Sequence, residues 1–198
     1  EKIIAVGLIF LSNYASATLI TSNTITNPTT IDFSTQATVS NISGPIQIGG
    51  LVGEDVTVSG SPNIGLYTNY DGWGLVSNGT WGSGMTYVSA NDARPGSLIF
   101  SFNDGPVSAV GGFINHLPNF GSDLFISAYD SGMNILETYN ITTLADIVTP
   151  SGLNQGGFRG IDLGSNSISF FEVTGYVPVL DDFTFSRTTS VPEPASLA

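Results

Sequence analysis

The chain contains no cysteine. Disulfides, thiolate metal ligands and a cysteine nucleophile are therefore excluded. Basic residues are almost as scarce: four Lys and Arg stand against sixteen Asp and Glu, for a net charge of −12. Nucleic-acid recognition rests on basic side chains meeting phosphates, so the composition argues against nucleic acid as a partner. The same charge disfavours adsorption to anionic lipid and leaves divalent cations as acceptable counter-ions. Histidine occurs once, at His116, so a three-histidine zinc site cannot form, and His-Glu-x-x-His is absent. A Ser-His-Asp relay would have to run through His116, and the chain has no Gly-x-Ser-x-Gly elbow. Long apolar runs are missing too. The stretch Ile3 to Leu11 has nine residues, against the roughly 20 that a membrane-spanning helix needs.

What is present is core material. Hydrophobic residues make up 41% of the 198 and aromatics 11%, enough for one packed domain and too much for a disordered chain. The polar residues are mostly Ser, Thr and Asn rather than charged ones. Short apolar stretches alternate with turn residues from Thr18 to Arg187. Strands are predicted around Thr30 to Phe33, Val56 to Val58, Leu98 to Phe102, Val107 to Ile114, Leu124 to Tyr129, Asn134 to Ile141, Ser167 to Thr174 and Val177 to Ser186. Asp130-Ser131-Gly132 is a hairpin turn between two of them. In the second strand of that hairpin, period two puts Ile135, Glu137, Tyr139 and Ile141 on one face. Only Thr142 to Val148 suits a turn of helix, and Gly60 to Gly96 reads as loops or short strands on the rim. The expected fold is all-β: an antiparallel β-sandwich over residues 18–187.

Both ends read as processing signals. Residues 1–17 have a lone basic residue (Lys2), the apolar stretch Ile3 to Leu11, and the small-x-small pattern Ala15-Ser16-Ala17. That is the pattern of a secretory signal peptide, with the mature chain expected to start at Thr18. At the other end, residues 188–198 hold a short linker and Val191-Pro192-Glu193-Pro194-Ala195-Ser196-Leu197-Ala198. This motif resembles the start of the PEP-CTERM sorting signal, whose apolar helix and basic cluster follow a Val-Pro-Glu-Pro opening and are absent here. The resemblance implies export to the cell surface or beyond, and processing by a membrane protease, the exosortase. The segment Val179-Leu180-Asp181-Asp182-Phe183-Thr184-Phe185-Ser186 resembles the closing strand of many PEP-CTERM proteins. Their domains often resemble a jelly-roll of the carbohydrate-binding or concanavalin-like kind, so a jelly-roll-like sandwich is implied.

Two groups of residues stand out as sites. With regular pairing, Val177, Val179, Asp181, Phe183 and Phe185 share a face, which places Asp181 among apolar side chains. A buried carboxylate needs an Arg, several backbone donors or a metal. Calcium takes six to eight oxygen ligands of this type, so Asp181 and Asp182, with Asp32 if the first and last strands are neighbours, are candidate calcium ligands. Many modules of the resembling kind hold a structural calcium. The competing reading is a bulge or strand end with both aspartates facing water. The second group is aromatic: Tyr67, Tyr70, Trp73 and Trp81 lie among Gly, Asn and Ser. Rings that stack on a sugar, with polar groups for its hydroxyls, make a carbohydrate-binding site. Alternatively the two Trp residues cap the core.

Catalysis has less to rest on. Asp71, Asp92, Asp104, Glu137 and Glu172 are available for a glycosidase pair, but nothing in the sequence pairs them. Arg94 and Arg159 are expected as salt-bridge partners in loops. The leading functional expectation is an extracellular or cell-surface structural protein of the envelope, matrix or a filament, without catalysis. The alternative is a carbohydrate-binding or adhesion module with extracellular polysaccharide as its partner. The β-prone stretch Thr18 to Thr30 could add a strand to a neighbour's open edge, giving self-association through the N-terminal strand.

Overall fold

The computed structural model describes residues 16–68, 86–90, 95–116, 121–147 and 156–188. Its strands are β1 (Thr18–Ile20), β2 (Thr29–Ile31), β3 (Val39–Ile42), β4 (Ile46–Gln47), β5 (Val56–Ser61), β6 (Ile64–Thr68), β7 (Thr86–Ala90), β8 (Gly96–Phe102), β9 (Ala109–Asn115), β10 (Phe125–Tyr129), β11 (Ile135–Asn140), β12 (Gly157–Asp162), β13 (Phe170–Gly175) and β14 (Val179–Ser186). One short helix, α1 (Ile141–Leu144), follows β11. The Asn140 side chain accepts from the Thr143 N–H at its start, the capping role that suits Asn.

The strands form two antiparallel sheets. The larger runs β1-β12-β9-β14-β7-β6-β3, with β2 also paired to β14, and the smaller runs β11-β10-β13-β8-β5-β4. From β7 to β10, and again from β11 to β14, each connection carries the chain from one sheet to the other. This is the expected antiparallel sandwich.

Period-two patterning explains the layers. Leu98, Phe100 and Phe102 of β8 turn inward, as do Val56 and Val58 of β5 and Phe171 and Val173 of β13. Leu180, Phe183 and Phe185 of β14 meet them from the opposite sheet. Phe100 and Phe183 stack with ring centroids 4.2 Å apart, and Phe102 meets Phe185 edge-on at 5.1 Å. Each fully buried Phe contributes about 1.5–3 kcal/mol relative to exposure.

Two differences from the sequence reading have physical causes. Gly60 to Gly96 does not lie wholly on the rim: β6 and β7 pair with each other inside the large sheet, and Ile64, Leu66 and Val88 are in the core. Their polar and glycine-rich flanks hide short apolar triplets. β12 is unexpected because its sequence, Gly-Phe-Arg-Gly-Ile-Asp, carries two glycines and two charged residues. Gly160 nevertheless belongs there: it lies opposite Gly111 of β9, where the two backbones approach closely. The N-terminal strand β1 pairs with β12 of its own sheet, Thr18 opposite Asp162 and Ile20 opposite Gly160.

Candidate functional site

The inward residues of the small sheet determine which side chains face out. Read across the strands, the outer face has three rows set by the register. The first is Ile135, Tyr129, Phe170, Ser101 and Thr57. The second is Thr138, Ser127, Glu172, Ile99 and Ser59. The third is Asn140, Phe125, Thr174, Ser97 and Ser61. Most of these residues are half-buried, as expected of an open sheet face. Hydroxyls dominate, three aromatic rings interrupt them, and Glu172 is the single carboxylate.

The Tyr129 hydroxyl donates to Glu172 Oε2 at 2.5 Å. Burial, then the hydrogen bond and the charge of Glu172, push the Tyr129 phenol above its ordinary pKa. Tyr129 therefore stays a donor throughout the neutral range. Ser127 and Thr138 share a hydrogen bond at 2.7 Å across the next strand pair. The arrangement offers rings for stacking, and oxygens that both donate and accept, on a surface without a cationic side chain.

The aspartates of β14 sit at a branch in the large sheet. On one side β14 is flanked by β9. On the other side, Val179 and Leu180 pair with β7, whereas Phe183 to Phe185 pair with β2. The register on β9 slips between Asp181 and Thr184, and Asp182 has φ +47°. This bulge splits the face expected from strict alternation. Val179 packs with Tyr87, Tyr67 and Phe113 on the outer side, opposite to the core that receives Phe183 and Phe185. Asp181 pairs with Phe113 and is fully buried.

Asp181 Oδ1 accepts from the Asp182 N–H at 2.7 Å, while Oδ2 has no hydrogen-bond partner. Burial foremost, aided by the charges of Asp182 and Asp32, raises the Asp181 carboxyl to about 7. The expected neighbourhood of Asp32, Asp181 and Asp182 is thus real. Yet among the described residues no three His, Cys, Asp or Glu side chains converge to hold a metal ion. Asp32 spends Oδ1 on the Ser34 N–H, at 3.2 Å. Calcium takes six to eight oxygens, and the described carboxylates do not by themselves form such a set. A proton on Asp181 suits a fully buried carboxyl better.

Of the aromatic group, Tyr67 lies on β6 with its ring 6.0 Å from that of Tyr87. Tyr70, Trp73 and Trp81 lie outside the described residues, as do the apolar stretch near the N-terminus, the Val191 to Ala198 motif and Arg94. His116 follows β9 and is buried; desolvation lowers it to about 4 against the opposing charge of Asp146. It is neutral at neutral pH. Arg159 is on a strand rather than in a loop. Its guanidinium donates to the carbonyls of Ala145, Phe158 and Asp146 at 2.7–2.9 Å, which ties β12 to the segment after α1.

A polar cleft of about 500 Å³ is lined by Thr26, Asn27, Ser108, Asp162, Ser186 and Arg187, among others. Its polar groups largely serve one another: Ser108 Oγ donates to the Ser186 carbonyl, Asp162 Oδ1 accepts from Gly164, and Arg187 pairs with Glu54. The outer face of the small sheet is the more open arrangement. Sequence reasoning named its Glu172 only as an unpaired carboxylate and missed Tyr129 and Phe170. The alternation of β10 and β13 could have placed them outward, but not side by side. Comparison with protein-family models, curated proteins and solved structures finds no match to this chain.

Proposed function

We propose that this chain is a non-catalytic module of the cell surface or extracellular matrix that holds polysaccharide on the outer face of its six-stranded sheet. The observation that carries the reading is the side-by-side placement of Tyr129, Phe170 and Glu172 in adjoining rows. Sugar rings have apolar faces that stack on aromatics and hydroxyl edges that pair with oxygens. Strands about 4.8 Å apart repeat on the scale of one hexose unit. Ser101, Thr57, Ser59 and Ser97 extend the row of hydroxyls beyond the rings. With a chain charge of −12 and no cation on the three rows, the glycan class is neutral rather than acidic. The export signals expected at both ends agree with such a location.

The test is retention in gels cast with neutral and with acidic polysaccharides. The full chain is compared with the Tyr129→Ala, Phe170→Ala double variant. Retardation by a neutral glycan that the double variant loses, at unchanged thermal unfolding, supports the reading. Equal retardation of the two proteins, or none with any glycan, rejects this face as the site.

A further inference from the structure

The small-x-small pattern Ala15-Ser16-Ala17 places the predicted cut between Ala17 and Thr18. The first strand begins at the same bond: β1 starts at Thr18, and Ser16 and Ala17 belong to no strand. Ser16 and Thr18, on either side of Ala17, are exposed. The bond therefore lies on the surface at the border of the domain, and cutting it leaves β1 whole.

The register decides what the new terminus meets. Leu163 N donates to Ser108 O at 2.9 Å. In an antiparallel ladder this turns the backbone groups of Ile161 and Leu163 toward β9, and those of Gly160 and Asp162 toward β1. Thr18 and Asp162, which are direct partners, are therefore a hydrogen-bonded pair, with the Thr18 nitrogen at the Asp162 carbonyl. Their side chains leave the sheet on the same face. The Thr18 nitrogen thus sits beside the residue that carries the Asp162 carboxylate.

That carboxylate has an oxygen to spare. Oδ1 accepts from Gly164 N at 2.7 Å, while Oδ2 has no partner among the described residues. Asp162 is half-buried and lines the polar cleft. Arg187 lines the same cleft, but its guanidinium is committed to Glu54 at 2.7 Å and to the Gly105 carbonyl at 3.2 Å. In the uncut chain the Thr18 nitrogen is a neutral amide whose one proton goes to the Asp162 carbonyl. In the cut chain it is an ammonium with protons left for the carboxylate.

We propose that the chain is cut between Ala17 and Thr18 and that the ammonium released there ion-pairs with Asp162, fastening β1 to β12. The cut is a hydrolysis by a membrane peptidase. Water adds across the Ala17–Thr18 amide, the new carboxylate leaves with residues 1–17, and the amine stays on Thr18. β1 has only three residues, so a charged contact at its first residue holds a strand with few backbone bonds of its own. The contact exists only after the cut. Both steps depend on residues 1–17 acting as an export signal, and neither depends on what the outer face of the small sheet binds.

Lys2 is the single lysine of the chain. The cut removes it, and the Thr18 terminus becomes the only amine left, so an amine reagent reports Thr18 alone. The full chain is expressed in a bacterial host, and the protein recovered outside the cytoplasm is read by intact mass. Its first residue should be Thr18. Labelling with acetic anhydride across a pH series then gives the pKa of the amine. A neighbouring carboxylate favours the charged form, so the value should lie about half a unit above the ordinary range of about 7.7–8.0. Asp162→Asn should return it to that range, and so should about 1 M salt, which needs no variant. Export of the uncut chain, or a cut at another bond, overturns the proposal and leaves the export reading standing. A chain kept in the cytoplasm rejects both. An ordinary pKa at Thr18 of the cut chain overturns the ion pair, as does a raised one that salt or a folded Asp162→Asn variant leaves unchanged. Glycan retardation by the outer face of the small sheet is the same in every case.

Discussion

Tyr129 on β10 reaches diagonally across the ladder to Glu172 on β13, donating its phenolic proton to Oε2 at 2.5 Å. The direct cross-strand neighbours are different: Phe170 for Tyr129 and Ser127 for Glu172. The diagonal bond pins a carboxylate beside two aromatic rings in the middle of an open face. Structural economy alone does not require it, since both groups are half-buried and could be hydrated.

Tyr129→Phe isolates the donor from the ring. It removes one hydrogen bond to a charged acceptor at a half-exposed site, which should cost about 1 kcal/mol of stability. Denaturant midpoints measure that loss. Glycan retardation should fall less than in Tyr129→Ala, which loses the stacking surface as well. Equal losses in the two variants would mean that the hydroxyl, not the ring, makes the contact.

The alternation of β14 made Asp181 conspicuous in the sequence; of the two readings open there, the structure has the bulge of one and the buried Asp181 of the other. Its company is not the expected one. Strict period two groups it with Phe183 and Phe185, whereas the bulge at Asp182 sends those rings into the core and leaves Asp181 on the face of Val179. Neither Gly nor Pro marks the bulge; Asp182 itself takes the positive φ, which Asp tolerates better than most residues. The sandwich was legible because inward triplets such as Leu98, Phe100 and Phe102 are local patterns. The outer rows were not, because Tyr129, Phe170 and Ser101 meet only through the pairing of three strands distant in the chain.

Asp181 and His116 give opposite dependences on pH. Asp181 is raised from 3.8 to about 7 in the folded chain. The folded state therefore binds more protons than the unfolded one between those values, and stability falls as pH rises through them. His116 is lowered from 6.5 to about 4. Its stabilising neutral form is lost as pH falls through that window. Each slope approaches 1.4 kcal/mol per pH unit, and over the shared range from about pH 4 to 6.5 the two cancel. Asp181→Asn should expose the histidine: its stability falls on acidification, and it exceeds wild type above about pH 7. His116→Asn should do the reverse, gaining stability toward acid. Urea midpoints of the three proteins at about pH 5 and about pH 8 separate these outcomes, and parallel curves would reject both assignments.

The pairing of β9 and β12 depends on the absence of two side chains. Gly111 and Gly160 lie directly opposite. A Cβ on Gly160 would stand 2.5 Å from the Val110 carbonyl oxygen and 3.0 Å from the Gly111 Cα. A Cβ on Gly111 would meet the Arg159 carbonyl oxygen at 2.7 Å. These neighbours are backbone and cannot rotate away, so the strands must separate. β12 holds β1 on its other side and anchors the segment after α1 through Arg159. Gly160→Ala should therefore destabilise the domain by about 2–4 kcal/mol, the range of overpacked cores and strained backbones. Gly44→Ala is the control, since nothing lies within 4 Å of a Cβ there, and it should stay within about 0.5 kcal/mol of wild type. Guanidinium midpoints compare them directly. Equal midpoints would show that the β9–β12 ladder has room for a methyl group, and that the two glycines are not what lets these strands pair.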